Sequence, residues 1–137
     1  MVVLDASVAL EWLLPSERSG EVEQLILQAK PSGVHAPAIF PLEVANGLRT
    51  KVRQGKITAD YRDIALDRLY RLGVEADQQG SRFDRLREAV GLSDRFGLTV
   101  YDASYLELAL RLGADLASLD RELAAAARAS GLQVHPD

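Results

Sequence analysis

Four carboxylates stand where a folded chain can bring them together. Asp5 closes the apolar run Val2-Val3-Leu4, and Asp120 follows another, Leu116-Ala117-Ser118-Leu119. Asp102 opens an apolar helical stretch, and Glu43 sits among Phe40, Leu42 and Val44. Each has a plain reading as well. The three aspartates lie at helix starts and could cap them, and a lone helical glutamate usually faces solvent. Gathered in one cleft, however, the four would repel one another and resist ionising. A hard divalent cation removes that conflict. Mg²⁺ or Mn²⁺ prefers oxygen ligands and keeps several waters. Held this way it lowers the pKa of a coordinated water and polarises a phosphoryl oxygen. The chemistry in view is phosphodiester hydrolysis.

The neighbours of these carboxylates extend the pattern. Asn46, Gly47 and Thr50 follow Glu43 at i+3, i+4 and i+7, a polar stripe of small residues with room for a ligand. Arg49, Arg53 and Lys56 continue from Asn46 as a basic track suited to phosphates. Ser7 and Ser118 each stand two residues from an aspartate, placed either to orient a water or to cap a helix.

Short apolar runs alternating with amphipathic stretches must position these groups. Strands are expected at Val2–Asp5, Val34–Ala36, Val74–Ala76, Ala114–Leu119 and Leu132–His135. Helices are expected at Ala6–Leu14, 19–30, from about Ala38 to Gln54, Thr58–Leu72, Ser81–Phe96, Tyr101–Leu112 and Asp120–Ala129. Lys30–Gly33 reads as a loop. The alternation predicts an α/β fold, one domain over 1–137 with a mainly parallel sheet of about five strands. Such sheets bind ligands at the carboxyl ends of their strands, where strand order reverses. If the first and fourth strands are neighbours there, Asp5 and Asp120 share a crevice.

Composition narrows the classes. The absence of cysteine rules out thiolate zinc sites, iron–sulfur clusters and a thiol nucleophile, and agrees with a cytoplasmic location. No apolar run approaches the ~18 residues of a membrane span, and the first residues do not read as a signal peptide. A net charge of −4 argues against a general nucleic-acid coat protein. Charge is unevenly spread: between residues 49 and 71, seven basic side chains stand against three aspartates.

The segments Val2-Val3-Leu4-Asp5-Ala6-Ser7, Leu42-Glu43-Val44-Ala45-Asn46-Gly47-Leu48, Tyr101-Asp102-Ala103-Ser104-Tyr105-Leu106-Glu107-Leu108-Ala109 and Leu119-Asp120-Arg121-Glu122-Leu123-Ala124 resemble, in order and spacing, the PIN-domain nucleases. Within that family they resemble the VapC-type toxins of prokaryotic toxin–antitoxin pairs. The resemblance implies Asp5, Glu43, Asp102 and Asp120 around Mg²⁺ or Mn²⁺, cutting single-stranded or looped RNA. It also implies a homodimer and a small VapB-like antitoxin. Trp12, Leu13, Leu14 and Phe40 are expected to supply apolar surface for one of those interfaces. Ser118 stands where the family commonly has threonine, which keeps the hydroxyl.

Other readings stay open at this stage. A histidine-based ribonuclease would have only His35 and His135 as acid and base. Gly55-Lys56-Ile57 lacks the residues of a P-loop. A phospho-receiver would need an acceptor aspartate after its third strand, where Asp77 is a poor candidate. A PIN-like module that binds RNA or protein without cutting, or a housekeeping nuclease, completes the set.

Overall fold

The computed structural model describes residues 1–137. β1 (Val2–Leu4) leads into α1 (Ala6–Leu13) and α2 (Ser19–Ala29), and a 3-10 turn (Lys30–Ser32) leads into β2 (Val34–Ala36). Next come α3 (Phe40–Arg53), α4 (Ala59–Leu72), β3 (Glu75–Ala76), α5 (Phe83–Phe96) and α6 (Val100–Leu112). β4 (Asp115–Ala117), α7 (Arg121–Ala129) and β5 (Val134–His135) close the chain. The expected elements are all present. Boundaries move where capping chemistry decides them. α6 starts at Val100 because the Thr99 hydroxyl accepts the Asp102 N–H at 3.1 Å. α5 starts two residues later than expected, at Phe83, and ends at Gly97, whose φ of 67° relieves the helix end. The expected loop at Lys30–Gly33 contains the 3-10 turn, with proline in its first turn.

The sheet order is β3-β2-β1-β4-β5, and every pairing is parallel. The chain steps outward from β1 to β3, then returns across the sheet to β4 and β5. With right-handed crossovers, α1–α4 lie on one face and α5–α7 on the other. The main helix–helix packings fall within those two groups. β1 is covered on both sides, and Val2, Val3 and Leu4 are all buried. Strand order reverses between β1 and β4, so the ligand-binding crevice lies beyond Leu4 and Ala117.

Two expectations about side chains fail. Gly47 leaves no room for a ligand, because a Cβ there would lie 2.6 Å from Leu10 Cδ1. The glycine lets α1 and α3 approach closely. Leu13 and Phe40 are not surplus apolar surface but core, at 0% and 2% exposure, and Trp12 and Leu14 pack against that core. The helices on this face cover one another as well as the sheet, which leaves these side chains little open surface. Exposed apolar side chains lie elsewhere, with Phe83, Leu86 and Val90 following one another along α5.

Candidate active site

Asp5 and Asp120 come from the carboxyl ends of adjacent strands, as their positions after β1 and β4 require. Asp5 is buried, and its Oδ2 accepts both the Ser7 hydroxyl at 2.7 Å and the Ser118 hydroxyl at 2.8 Å. The serines are tied in turn to the crossing chain. Ser7 Oγ accepts the Leu119 N–H and Ser118 Oγ accepts the Asp120 N–H. Both serine protons are therefore directed at Asp5. Asp120 caps α7 through Oδ1, which accepts the Leu123 N–H at 3.0 Å. Asp5 occupies the N-cap position of α1 without using its side chain as a cap. Asp102 is not a cap, since Thr99 holds that role in α6.

Glu43 reaches the same place from the other helical layer. Tyr105, wholly buried on α6, donates its hydroxyl to Glu43 Oε1 at 2.7 Å. This bond joins α3 to α6 across the carboxyl edge of the sheet. Burial, then the proximity of Glu43, drives the Tyr105 phenol far above its ordinary value, so it remains a donor.

Three of the four carboxylates are shifted by burial and by their acidic neighbours. Burial is the main cause of a raised pKa at Asp5, opposed by the two serine hydroxyls and reinforced by Asp120. Burial also raises Glu43, opposed by Tyr105 and reinforced by Asp5 and Asp102. Asp102 is raised by burial, then by Asp120 and Asp5. No three of these side chains close around one point as a ready-made cage. The donor set still fits a hard divalent ion. It consists of carboxylate oxygens, and Glu43, Asp102 and Asp120 are each partly exposed, as an ion that keeps its waters requires.

A model of the PIN domain matches residues 2–129. The chain belongs to the PIN-domain family. Ribonuclease VapC3 of Pyrobaculum aerophilum is 35% identical over 123 residues, covering 90% of this chain and 92% of that protein. Ribonuclease VapC9 of Mycobacterium tuberculosis is 34% identical over 123 residues, covering 90% of this chain and 88% of that protein. The crystal structure of PAE2754 from Pyrobaculum aerophilum aligns with a TM-score of 0.74 at 22% identity, covering 97% of this chain and 89% of that one. FitAcB from Neisseria gonorrhoeae aligns at 0.67 and 17%, covering 98% and 96%. At these identities the two solved structures establish the fold.

Within this PIN domain the remaining expected site residues fall as follows. Asn46, Arg49 and Arg53 are exposed along α3, while exposed Lys56 lies in the turn beyond its end. None of the three basic residues makes an ion pair within the chain. By contrast, Arg62 pairs with Asp63 and Arg68 lies over the Trp12 ring at 4.7 Å. His35 and His135 sit on β2 and β5, three strand spacings or about 14 Å apart. They cannot act as an acid–base pair on one phosphate. The residue that sequence reasoning passed over is Tyr105. Its position three residues after Asp102 was visible, but its partner lies 62 residues away.

Proposed function

We propose that this PIN domain is a Mg²⁺- or Mn²⁺-dependent endoribonuclease that acts as the toxin of a toxin–antitoxin pair. The observation that carries the reading is that Asp5, Glu43 and Asp102 lie near enough to one another and to Asp120, beyond the β1–β4 switch point, for burial and neighbouring carboxylates to oppose the ionisation of those three. The relatives that match most of the chain are named ribonucleases, which supports RNA as the substrate. Asp5 and Asp102 would hold the cation, and Glu43 and Asp120 would complete its surroundings or position water. Such a cation, when bound, supplies an activated water and charge neutralisation at the phosphate. The chain's own part is to fix Asp5 through Ser7 and Ser118, to fix Glu43 through Tyr105, and to lead RNA phosphates along Arg49, Arg53 and Lys56. In-line attack by water leaves 5′-phosphate and 3′-hydroxyl ends.

The exposed row Phe83, Leu86 and Val90 on α5, with Val100 and Tyr101 exposed at the start of α6 on the same side of the sheet, supports self-association through that face. A small antitoxin would silence the site by placing an arginine or lysine among the carboxylates, relieving the repulsion that a cation relieves.

Incubating the protein with a structured RNA tests the activity. Cleavage is expected with Mg²⁺ or Mn²⁺, and none with EDTA. Asp102→Asn should lower the rate at least 100-fold, a loss on the scale of removing a principal electrostatic group. Undiminished cleavage in EDTA would overturn the metal mechanism. An intact protein that binds RNA but never cuts it would establish the binding-module reading instead.

A further inference from the structure

We propose that a cavity at the carboxyl edge of the sheet, between α5, the start of α6 and the connection from β2 to α3, holds a guanine base of the RNA beside the cut, and that Arg85 reads that base. The inference rests on the ribonuclease reading above and concerns the base that the domain prefers.

The cavity has a volume of about 230 Å³, and Pro37, Ile39, Leu86 and Val100 form much of its apolar wall. It is smaller than the roughly 300–1,000 Å³ of sites that enclose a whole small molecule, and it suits one flat ring system. Its place follows from the chain. Pro37 and Ile39 come after β2, the neighbour of β1, and lead into α3, which carries Glu43. Tyr101 and Ser104 line the cavity from α6 and stand on either side of Asp102 in sequence. Asp102 itself is outside the lining, because successive residues of a helix point about 100° apart. The cavity and the acidic cleft therefore occupy adjoining faces of one helix turn, within the reach of neighbouring nucleotides. Tyr101 is 61% exposed, and an exposed ring at this place is a surface on which a base can stack.

Arg85 supplies the group that discriminates. Its side chain lines the cavity and is 35% exposed, and its Nε is buried with no hydrogen-bond partner. Glu107 stands 4.0 Å away, but both Glu107 oxygens already accept bonds from Arg111. Arg111 also holds both oxygens of Asp77. The two arginines offset the two acids, so the cavity offers donors without net charge. That balance, with the apolar wall, favours a neutral acceptor over a phosphate. Guanine presents O6 and N7 side by side, the pair that an arginine fork grips. The rival occupant is a side chain from a second copy, since Leu86, Val100 and Tyr101 also belong to the face that supports self-association. An apolar side chain there would enclose Arg85 without giving it an acceptor, which is unfavourable. Guanine would satisfy it.

Binding of short single-stranded RNAs in EDTA tests the inference without reference to cleavage. The four RNAs are an adenine run and its variants with one central guanine, cytosine or uracil. Wild type should bind the guanine RNA about tenfold more tightly than the other three, as one bidentate pair provides. Arg85→Met should bring the four to within about twofold, and so should Arg85→Lys, which keeps the charge but loses the planar fork. Tyr101→Ala should weaken all four by about tenfold and keep the order, as loss of stacking requires. Should Arg85→Met not fold, Arg85→Lys decides alone. Equal binding of the four RNAs by wild type, or a guanine preference retained in both Arg85 variants, would overturn the inference and leave the ribonuclease reading standing. Sedimentation of the same proteins covers the rival: loss of self-association in Arg85→Met with the guanine preference intact would assign the cavity to a second copy. Failure of wild type to bind any RNA or to cut any with Mn²⁺ would overturn the functional reading and the inference with it.

Discussion

Asp102 shows most plainly what the cleft costs the fold. Burial raises its pKa, and Asp120 and Asp5 raise it further, so its ionised form is less favourable in the folded chain than in the unfolded one. For an acid shifted upward the penalty is absent below the ordinary value of 3.8, grows as pH rises toward the folded value, and is complete above it. Glu43 and Asp5 have the same sign. The metal-free protein should therefore gain stability as pH falls through the raised values of these groups toward their ordinary ones. Asp102→Asn should raise the melting temperature at pH 7 by about 2–4 °C and flatten that dependence, while abolishing cleavage. Thermal melts in EDTA across this pH range check it, and a lower melting point for the variant at pH 7 would contradict it. The acidic residues themselves were legible in the sequence because strand ends and a helix start announce them. The donors behind them were legible only in part. Ser7 and Ser118 stand beside aspartates in sequence, but Ser118 serves Asp5, 113 residues away. No local pattern encodes such a pairing.

At the level of elements, α6 matters most because it carries both Asp102 and Tyr105. Its far end is seated by Arg111, which grips Asp77 after β3 with two bonds of 3.1 and 2.6 Å and also bonds Glu107 on its own helix. The side chains of Arg111, Asp77 and Glu107 are only 13%, 9% and 7% exposed, so removing the cation strands buried Asp77 and leaves buried Glu107 only Arg85 at 4.0 Å. Arg111→Ala should cost about 3–5 kcal/mol. Arg82→Ala, which breaks an exposed pair with Asp84, should cost no more than about 1 kcal/mol. Denaturant titration of the two variants separates these outcomes. Arg111 holds the pKa of Asp77 down, so this contribution is complete above pH 3.8 and fades as pH falls through the lowered value. It lies below the window in which the cleft carboxylates act. The helix itself could be read from its apolar residues. The ion cluster could not, because Asp77 gave only a poor signal as a phospho-acceptor and none as an arginine partner.

Across the whole molecule, the parallel α/β class was legible because strands alternate with helices, whereas the adjacency of β1 and β4, left as a condition by the sequence, comes from the sheet order. The distribution of apolar surface was not legible either. Leu13 and Phe40 satisfy the core, whereas α5 leaves Phe83, Leu86 and Val90 uncovered, a difference set by which layers pack against which. Charge is the other property of the whole. The chain carries −4, so RNA must be drawn in locally rather than by net attraction. Arg49, Arg53 and Lys56 are exposed and have no acidic partner within the chain, and they adjoin the helix that carries Glu43. If each neutralises one phosphate of a single strand, together they contribute about 2 to the slope of log affinity against log salt. The triple alanine variant should therefore bind RNA more weakly at low salt and show a slope shallower by about 2. Single-turnover cleavage at saturating RNA should change much less, because the carboxylates and their hydrogen bonds are untouched. Binding isotherms at several salt concentrations, measured in EDTA to prevent turnover, give the slope. An unaltered slope would mean that the RNA backbone follows another face of the domain.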